Sequence, residues 1–401
     1  MGQANGSILL RKKGIEQVKA LAEDKAYKLK REIGTLELLL LFIGSLIGAG
    51  IFVLPGVAAA KYAGPAVSLS YLLGGIVCIC VGLCYVEFAS MAPFAGSAYT
   101  YAYIALGEIL AWIVGWDLLF EFTVVCSTVS VGWSGYVVSF LKSLGINLPA
   151  ALTRDIAHGG IINLPAILGL LLVGYIAYSG IKNVSRTNTL LTVIKLSAIL
   201  FFVACGLFHL KPANWHPFAP FGLAGIMTGA ALTFFAYTGF DGITAVLEEV
   251  KNPQRSIPIA LIGGLAIVIL LYVGVAAVLT GVVNYTRLDV PDPAAFALME
   301  MGIRWGGALI SVAILFGLIA VMLGYGLSAT RILFAMSRDG LLPPVFARVH
   351  ERTRVPHIAT LVIFGVAILG GGFLSINELA ELANIGGLTA FTVPPTLGYA
   401  R

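Results

Sequence analysis

The chain is 401 residues long, 59% hydrophobic and only 11% charged, with a mean hydropathy of +0.95. Polar surface is too scarce to cover a water-soluble core of this size, so the composition excludes a soluble globular protein and points to an all-α membrane protein. A formal net charge of +5 would suit a nucleic-acid partner in a soluble chain, but here the basic residues are sorted by loop, and no nucleic-acid partner is expected.

Residues 1–35 form a basic arm, expected on the cytoplasmic side. From Ile8 onward it carries Arg11, Lys12, Lys13, Lys19, Lys25, Lys28, Lys30 and Arg31 on a weakly amphipathic pattern, suited to lying along an anionic leaflet of membrane lipids. It has no short apolar run followed by a small-residue cleavage site, so the first span is expected to serve as the insertion signal. About 20 apolar residues cross a hydrocarbon core roughly 30 Å thick, and by that measure 36–401 divides into about ten spans. They lie near 36–60, 65–91, 99–140, 162–180, 187–208, 222–249, 257–282, 304–336, 357–375 and 380–399. The third is long enough to be tilted or bent.

Cys78, Cys80, Cys84, Cys126 and Cys205 all fall in apolar stretches and are odd in number, which argues for core fillers rather than a disulfide framework. His158, His209, His216, His350 and His357 sit at or between span ends, without ligand-like spacing to the cysteines. No metal or cofactor is expected. With the N-terminus inside, about 18 Lys and Arg fall on the cytoplasmic side, against six outside (Lys61, Lys142, Arg154, Lys211, Arg287, Arg304) and one within a span, Lys195. That bias orients the chain with its N-terminus in the cytoplasm, and ten spans return the C-terminus there.

Two spans are interrupted. Span one reads Gly44-Ser45-Leu46-Ile47-Gly48-Ala49-Gly50-Ile51-Phe52 and span six Phe234-Phe235-Ala236-Tyr237-Thr238-Gly239-Phe240-Asp241. In lipid, unwound backbone survives only where it lines a protein cavity. Interruptions at matching positions of two five-span halves, about 36–208 and 222–401, point to an inverted five-plus-five repeat with a substrate site at the midplane. Gly44 and Gly48 taken alone also fit a small-residue packing motif; the match in span six favours broken helices.

Lys195 is the only lysine deep in a span. A charge there costs a few kcal/mol unless it is paired, neutral or snorkelling to an interface. On span three Asp117 and Glu121 stand at i and i+4 on one helical face. Asp241, Glu248 and Glu249 trail span six and, with Lys251 and Arg255, read as a structural charge cluster; Arg331, Arg338 and Asp339 at the end of span eight read as an inner gate.

Five segments in order carry a family resemblance: Gly44–Gly56 (GSLIGAGIFVLPG), Pro93–Tyr99 (PFAGSAY), Gly107–Glu121 (GEILAWIVGWDLLFE), Phe234–Pro258 (FFAYTGFDGITAVLEEVKNPQRSIP) and Arg331–Pro343 (RILFAMSRDGLLP). The chain resembles the amino acid-polyamine-organocation permeases, within them the cationic-amino-acid-transporter branch and its bacterial relatives. The resemblance implies a LeuT-like fold with helices 1 and 6 broken. Members usually carry twelve spans, ten of which form the transport core, and the ten seen here correspond to that core.

What the resemblance implies for the site is specific. The substrate carboxylate meets the backbone amides of Ala49 and Gly50, the ammonium meets the carbonyls of Leu46, Phe235, Ala236 and Thr238, and the Phe235 ring covers the substrate as a gate. Lys195 reaches the span-one carbonyls near Gly44 and Ile47 in place of a sodium ion, with Glu121 as partner in a proton-linked network. The expected activity is proton-coupled uptake of an amino acid. The apolar character of Ile319–Gly326, with Met322, Leu323 and Tyr325, favours alanine-like or larger neutral substrates over cationic ones. An exchanger or exporter, or a sensor that binds without transport, is the alternative; no catalytic constellation suggests an enzyme.

Overall fold

Glycine, proline and short polar caps set most helix boundaries. The computed structural model describes residues 11–48, 50–290 and 292–390, with side chains described to 383 except 143. Ala49, expected to meet the substrate carboxylate, and the pair Pro394-Pro395 in the expected tenth span therefore lie outside the described residues. A basic helix α1 (Ile15–Glu23) leads into α2 (Thr35–Leu46) and α3 (Gly50–Ala58), two separate helices within the stretch expected as the first span. Gly64, at φ 62°, ends a wide turn after α3 and redirects the chain into α4 (Val67–Met91), a backbone conformation that a side-chain-bearing residue resists.

The reading of 99–140 as one span is corrected. The chain forms α5 (Ala98–Ala105) and, after Gly107 at φ 109°, a separate α6 (Glu108–Ser143). A glycine outside right-handed space followed by Glu108 in the first turn is a helix start, not a bend. At 36 residues, α6 is about 54 Å long by the α-helical rise, well beyond the hydrocarbon thickness. α7 (Leu164–Tyr178) starts at Asn163, whose side chain accepts from Ala166 N, and α8 (Ile181–Leu207) follows Gly180 at φ 114°.

The sixth span begins as α9 (Gly222–Phe234), tightens to a 3₁₀ turn over Phe235–Tyr237, breaks at Thr238–Gly239 and resumes as a 3₁₀ helix over Phe240–Glu249. Next come α10 (Pro253–Pro258), a wide π turn over Ile259–Gly263, α11 (Gly264–Val282), the short α12 (Pro293–Glu300), α13 (Gly306–Arg338), α14 (His357–Phe373) and α15 (Ile376–Ala390). Six helical stretches among the described residues are long and apolar enough to cross a membrane: Gly50–Met91, Glu108–Lys142, Ile181–Leu207, Gly222–Glu249, Pro253–Val282 and Gly306–Arg338; α2, α7 and α14 are shorter apolar helices.

The outer surface is apolar: Leu270 is 72% exposed and Leu361 62%, a face that suits lipid and not water. The inside holds α13, which is buried continuously from Gly317 to Arg338 and packs against α2, α6 and α8. All five cysteines are free; Cys78 and Cys126 are core residues, whereas Cys80 and Cys84 are exposed, correcting their reading as fillers. The N-terminal arm is also tied down. Val18 packs with Ala92 and Phe94, Lys13 pairs with Asp339 and Arg11 with Glu108 at 3.3 Å.

Candidate functional site

A helix that ends inside a protein leaves its last carbonyls without amide partners, and that end carries partial negative charge. α2 ends this way, and Lys195 answers it. Its side chain is 1% exposed, and Nζ donates to Gly44 O at 2.6 Å and to Ile47 O at 2.5 Å. On the same face of α8, Asn188 Nδ2 and Thr192 Oγ1 donate to Leu40 O at 3.1 and 3.2 Å. The approach depends on Gly44, because a Cβ there would lie 2.5 Å from Thr192 Oγ1 and 2.6 Å from Asn188 Nδ2. Lys195 is thus a buried partner of broken backbone, not a snorkelling side chain.

The two interruptions meet at one cavity of about 240 Å³. Leu46 and Gly50 border it from the first span, and Phe235, Ala236 and Thr238 from the sixth. Three of the four expected substrate carbonyls already have partners: Tyr272 Oη donates to Ala236 O at 2.9 Å, Tyr325 Oη to Thr238 O at 2.8 Å, and both Thr238 N and Thr238 Oγ1 to Phe235 O at 3.2 and 2.8 Å. A carbonyl has two lone pairs, so Ala236 and Thr238 each keep one acceptor position while Phe235 O is fully engaged. The Phe235 ring is 52% exposed. The remaining wall is mostly apolar, with Val125, Val129, Leu318, Val321 and Leu54, relieved by Thr128 and Tyr136.

Toward the Arg331 end the walls converge. Between α2, α13 and the lower part of span six only about 10 Å³ is left, lined by Ser45, Gly242 and Ser328 among others, room for about one water at most. Below it Arg331 forks onto Glu249, Nε to Oε2 at 3.1 Å and Nη2 to Oε1 at 2.8 Å, with both side chains fully buried. Arg338 pairs with Glu248 at 2.8 Å, and Glu248 also accepts from Ala95 N at 2.9 Å. Tyr99 Oη donates to Asp339 at 2.9 Å, alongside Lys13. Glu248 and Glu249 therefore pair across to α13 and not with Lys251 and Arg255, which correct sequence neighbours for spatial ones.

Glu121 faces other company than expected. It is buried within electrostatic range of Asp241 and Asp117, with Tyr85 and Tyr325 around the group. Among the described residues it makes no ion pair with Lys195; α13 packs against both α6 and α8 and supplies the material between them.

A family profile described as "Amino acid permease" matches residues 33–398. The chain belongs to the amino acid permease family. The permease is 43% identical to the methylthioribose transporter of Bacillus subtilis over 96% of its own length and 84% of that protein, and 40% identical to the branched-chain amino acid permease BcaP of the same organism over 97% and 84%. It is 35% identical to the vacuolar cationic amino acid transporter 4 of Arabidopsis thaliana, over 96% of this chain and 65% of that one. These relatives are transporters, not enzymes, and they include both the cationic branch and the bacterial one.

Several wall residues were not singled out from the sequence. Met322 and Leu323 are core side chains, and the cavity face of α13 is Leu318, Val321 and Tyr325, spaced as one helical face. Asn188 and Thr192 were detectable as polar residues on the same helical face as Lys195 in an apolar helix. Gly239 gives a direct test of the break. It sits at φ 87°, and a Cβ would collide with the Tyr325 hydroxyl. Gly239→Ala is expected to cost about 1–2 kcal/mol from backbone conformation alone and to displace Tyr325 from Thr238 O. Thermal unfolding in detergent together with substrate binding checks this; unchanged binding would mean that the Tyr325 bond does not shape the site.

Proposed function

We propose that the permease is a secondary active transporter that takes up neutral amino acids with a proton, by alternating access, across the cell membrane. In this reading it has ten spans in an inverted five-plus-five arrangement and a cytoplasmic N-terminus. The observation that carries the proposal is the meeting of both helix breaks at one apolar-walled cavity, with Lys195 on the carbonyls of the first break.

The chemistry follows from the helix ends. The amino end of α3 at Gly50 presents partial positive charge to a carboxylate, and the free lone pairs at Ala236 and Thr238 accept from an ammonium. The apolar wall of Val125, Val129, Leu318 and Val321 receives the side chain. No Asp or Glu borders the cavity among the described residues, which favours neutral over cationic substrates. Phe235, exposed at the rim, is the outer gate. Lys195 carries the transported proton: a neutral amine retains two N–H donors, so both carbonyl bonds survive deprotonation while the charge that steadies the end of α2 is lost. The closed side beneath the cavity opens when substrate and proton are released.

The test is uptake of a labelled amino acid panel into proteoliposomes under an inside-alkaline gradient, with and without sodium. Accumulation of alanine-like or branched neutral substrates that follows the proton gradient and ignores sodium is the expected result. Uptake only against preloaded amino acid would make it an exchanger, and binding without uptake a sensor. Methylthioribose belongs in the panel because of the 43% identical relative; it has neither carboxylate nor ammonium, so its preferred uptake would sink the helix-end scheme.

A further inference from the structure

Away from the substrate cavity, α7 and α14 leave a slot between them on the lipid-facing surface. The helices run antiparallel: Asn163 N donates to Gly372 O at 2.9 Å at one end, while Tyr178 and Thr360 border the slot at the other. The slot encloses about 360 Å³, and its walls include Leu171, Gly174, Leu361 and Gly365. Its shape comes from two glycines. At Gly174 the Phe364 ring fills the position a side chain would take, 3.1 Å from an ideal Cβ, whereas a Cβ at Gly365 would meet nothing within 4 Å. From Ile368 to Thr360 the slot extends about 12 Å along α14 by the α-helical rise, long enough for a good part of one acyl chain.

Beside the Tyr178 end of the slot lies a second, polar bowl of about 400 Å³ bordered by His350, Glu351, Arg352 and His357. The two adjoin through aromatic side chains. The Tyr178 and His350 rings meet at a tilt with centroids 6.1 Å apart, His350 and His357 meet edge-to-face at 5.7 Å, and His357 lies one turn from Thr360 on α14. The segment 348–357 bears Arg348, Arg352 and Arg354 against one carboxylate, Glu351. Arg348 and Arg352 are exposed, while Arg354 donates to Lys25 O at 3.1 Å. Lys182 and Arg186, exposed at the start of α8, add positive charge just past Tyr178.

An apolar slot beside a positively charged bowl has the two-part chemistry of an anionic glycerophospholipid. A free anion would use only the bowl, and a zwitterionic lipid would gain little from the arginines. We propose that this site holds one anionic phospholipid, with an acyl chain between α7 and α14 and its phosphate on Arg348, Arg352 and the two histidines. The same charges attract anionic headgroups at a membrane surface by an amount that corresponds to about fivefold in occupancy per arginine.

The experiment offers the purified full chain equal amounts of phosphatidylglycerol and phosphatidylcholine with identical acyl chains, and counts retained lipid by native mass spectrometry. The expected result is one tightly held lipid with phosphatidylglycerol preferred. Arg352→Gln, at an exposed position, lowers that preference about fivefold while keeping the adduct; Gly365→Phe, which fills the slot, removes the adduct of both lipids. Equal retention of the two lipids, an unchanged ratio in Arg352→Gln, or a wild-type adduct in a folded Gly365→Phe would each overturn the proposal. So would release of the lipid by excess inorganic phosphate. If thermal unfolding shows that Gly365→Phe does not fold, the Arg352→Gln ratio decides alone.

Discussion

Lys195→Met is expected to remove gradient-driven uptake while leaving the protein folded. Methionine comes close to the lysine stem in volume but has no donor for Gly44 O or Ile47 O, the two carbonyls that Nζ holds at 2.6 and 2.5 Å. Two opposing terms govern stability. Each carbonyl left unsatisfied costs about 1–3 kcal/mol, whereas removing an ammonium from a membrane interior recovers about 2.5–3.5 kcal/mol. They nearly cancel, so the unfolding temperature moves little. Transport has no such compensation. Loss of two charge-assisted bonds in the protonated state corresponds to about a hundredfold in rate if each is worth about 1.5 kcal/mol there. Lys195→Arg separates a strut from a proton carrier: a guanidinium keeps the charge and the donors but does not release its proton. Gradient-driven uptake that survives in Lys195→Arg would make the residue a fixed strut and end the proton-carrier reading; loss of uptake with binding intact is the expected pattern.

How much of this was legible beforehand depends on whether a feature is local. The breaks at Gly48 and Gly239 were readable because glycines and small polar residues interrupt otherwise continuous apolar runs, and a lone lysine in span five was conspicuous because nothing near it in sequence offsets its charge. Its carbonyl partners came from family resemblance, and the structure has Gly44 O and Ile47 O within hydrogen-bond distance of Nζ. Contacts between distant elements were not readable. Glu121 lies one helical turn from residues that line the cavity, yet its neighbours Asp241 and Tyr325 come from other spans. Glu248 and Glu249 sit next to Lys251 in sequence, but the 3₁₀ turns of the lower sixth span direct both toward α13. The start of α6 was a missed local signal: Gly107 followed by Glu108 marks a helix N-terminus as plainly as any in the chain.

The largest stability effect is expected at Arg331–Glu249. Both side chains are fully buried, and two parallel bonds of 3.1 and 2.8 Å join them, with Thr330 Oγ1 accepting a third from Arg331 Nη1 at 2.9 Å. Removing one partner strands the other charge in a low-dielectric interior, so Arg331→Met or Glu249→Leu alone should cost about 3–5 kcal/mol. Replacing both leaves no stranded charge, and Arg331→Met/Glu249→Leu should recover most of that loss in thermal unfolding, a coupling that a double-mutant cycle measures directly. A double variant no more stable than the singles would show that the pair does not act as a unit. The recovered protein then separates a strut from a gate. The pair joins α13 to the lower half of span six immediately beneath the cavity, so an apolar replacement that restores packing removes the charged register without reopening a void. If the pair serves only to hold these elements together, the double variant binds and transports normally. If it holds the inner side closed, the double variant is stable, yet substrate added on the outer side binds more weakly, because part of the population now rests with that side open.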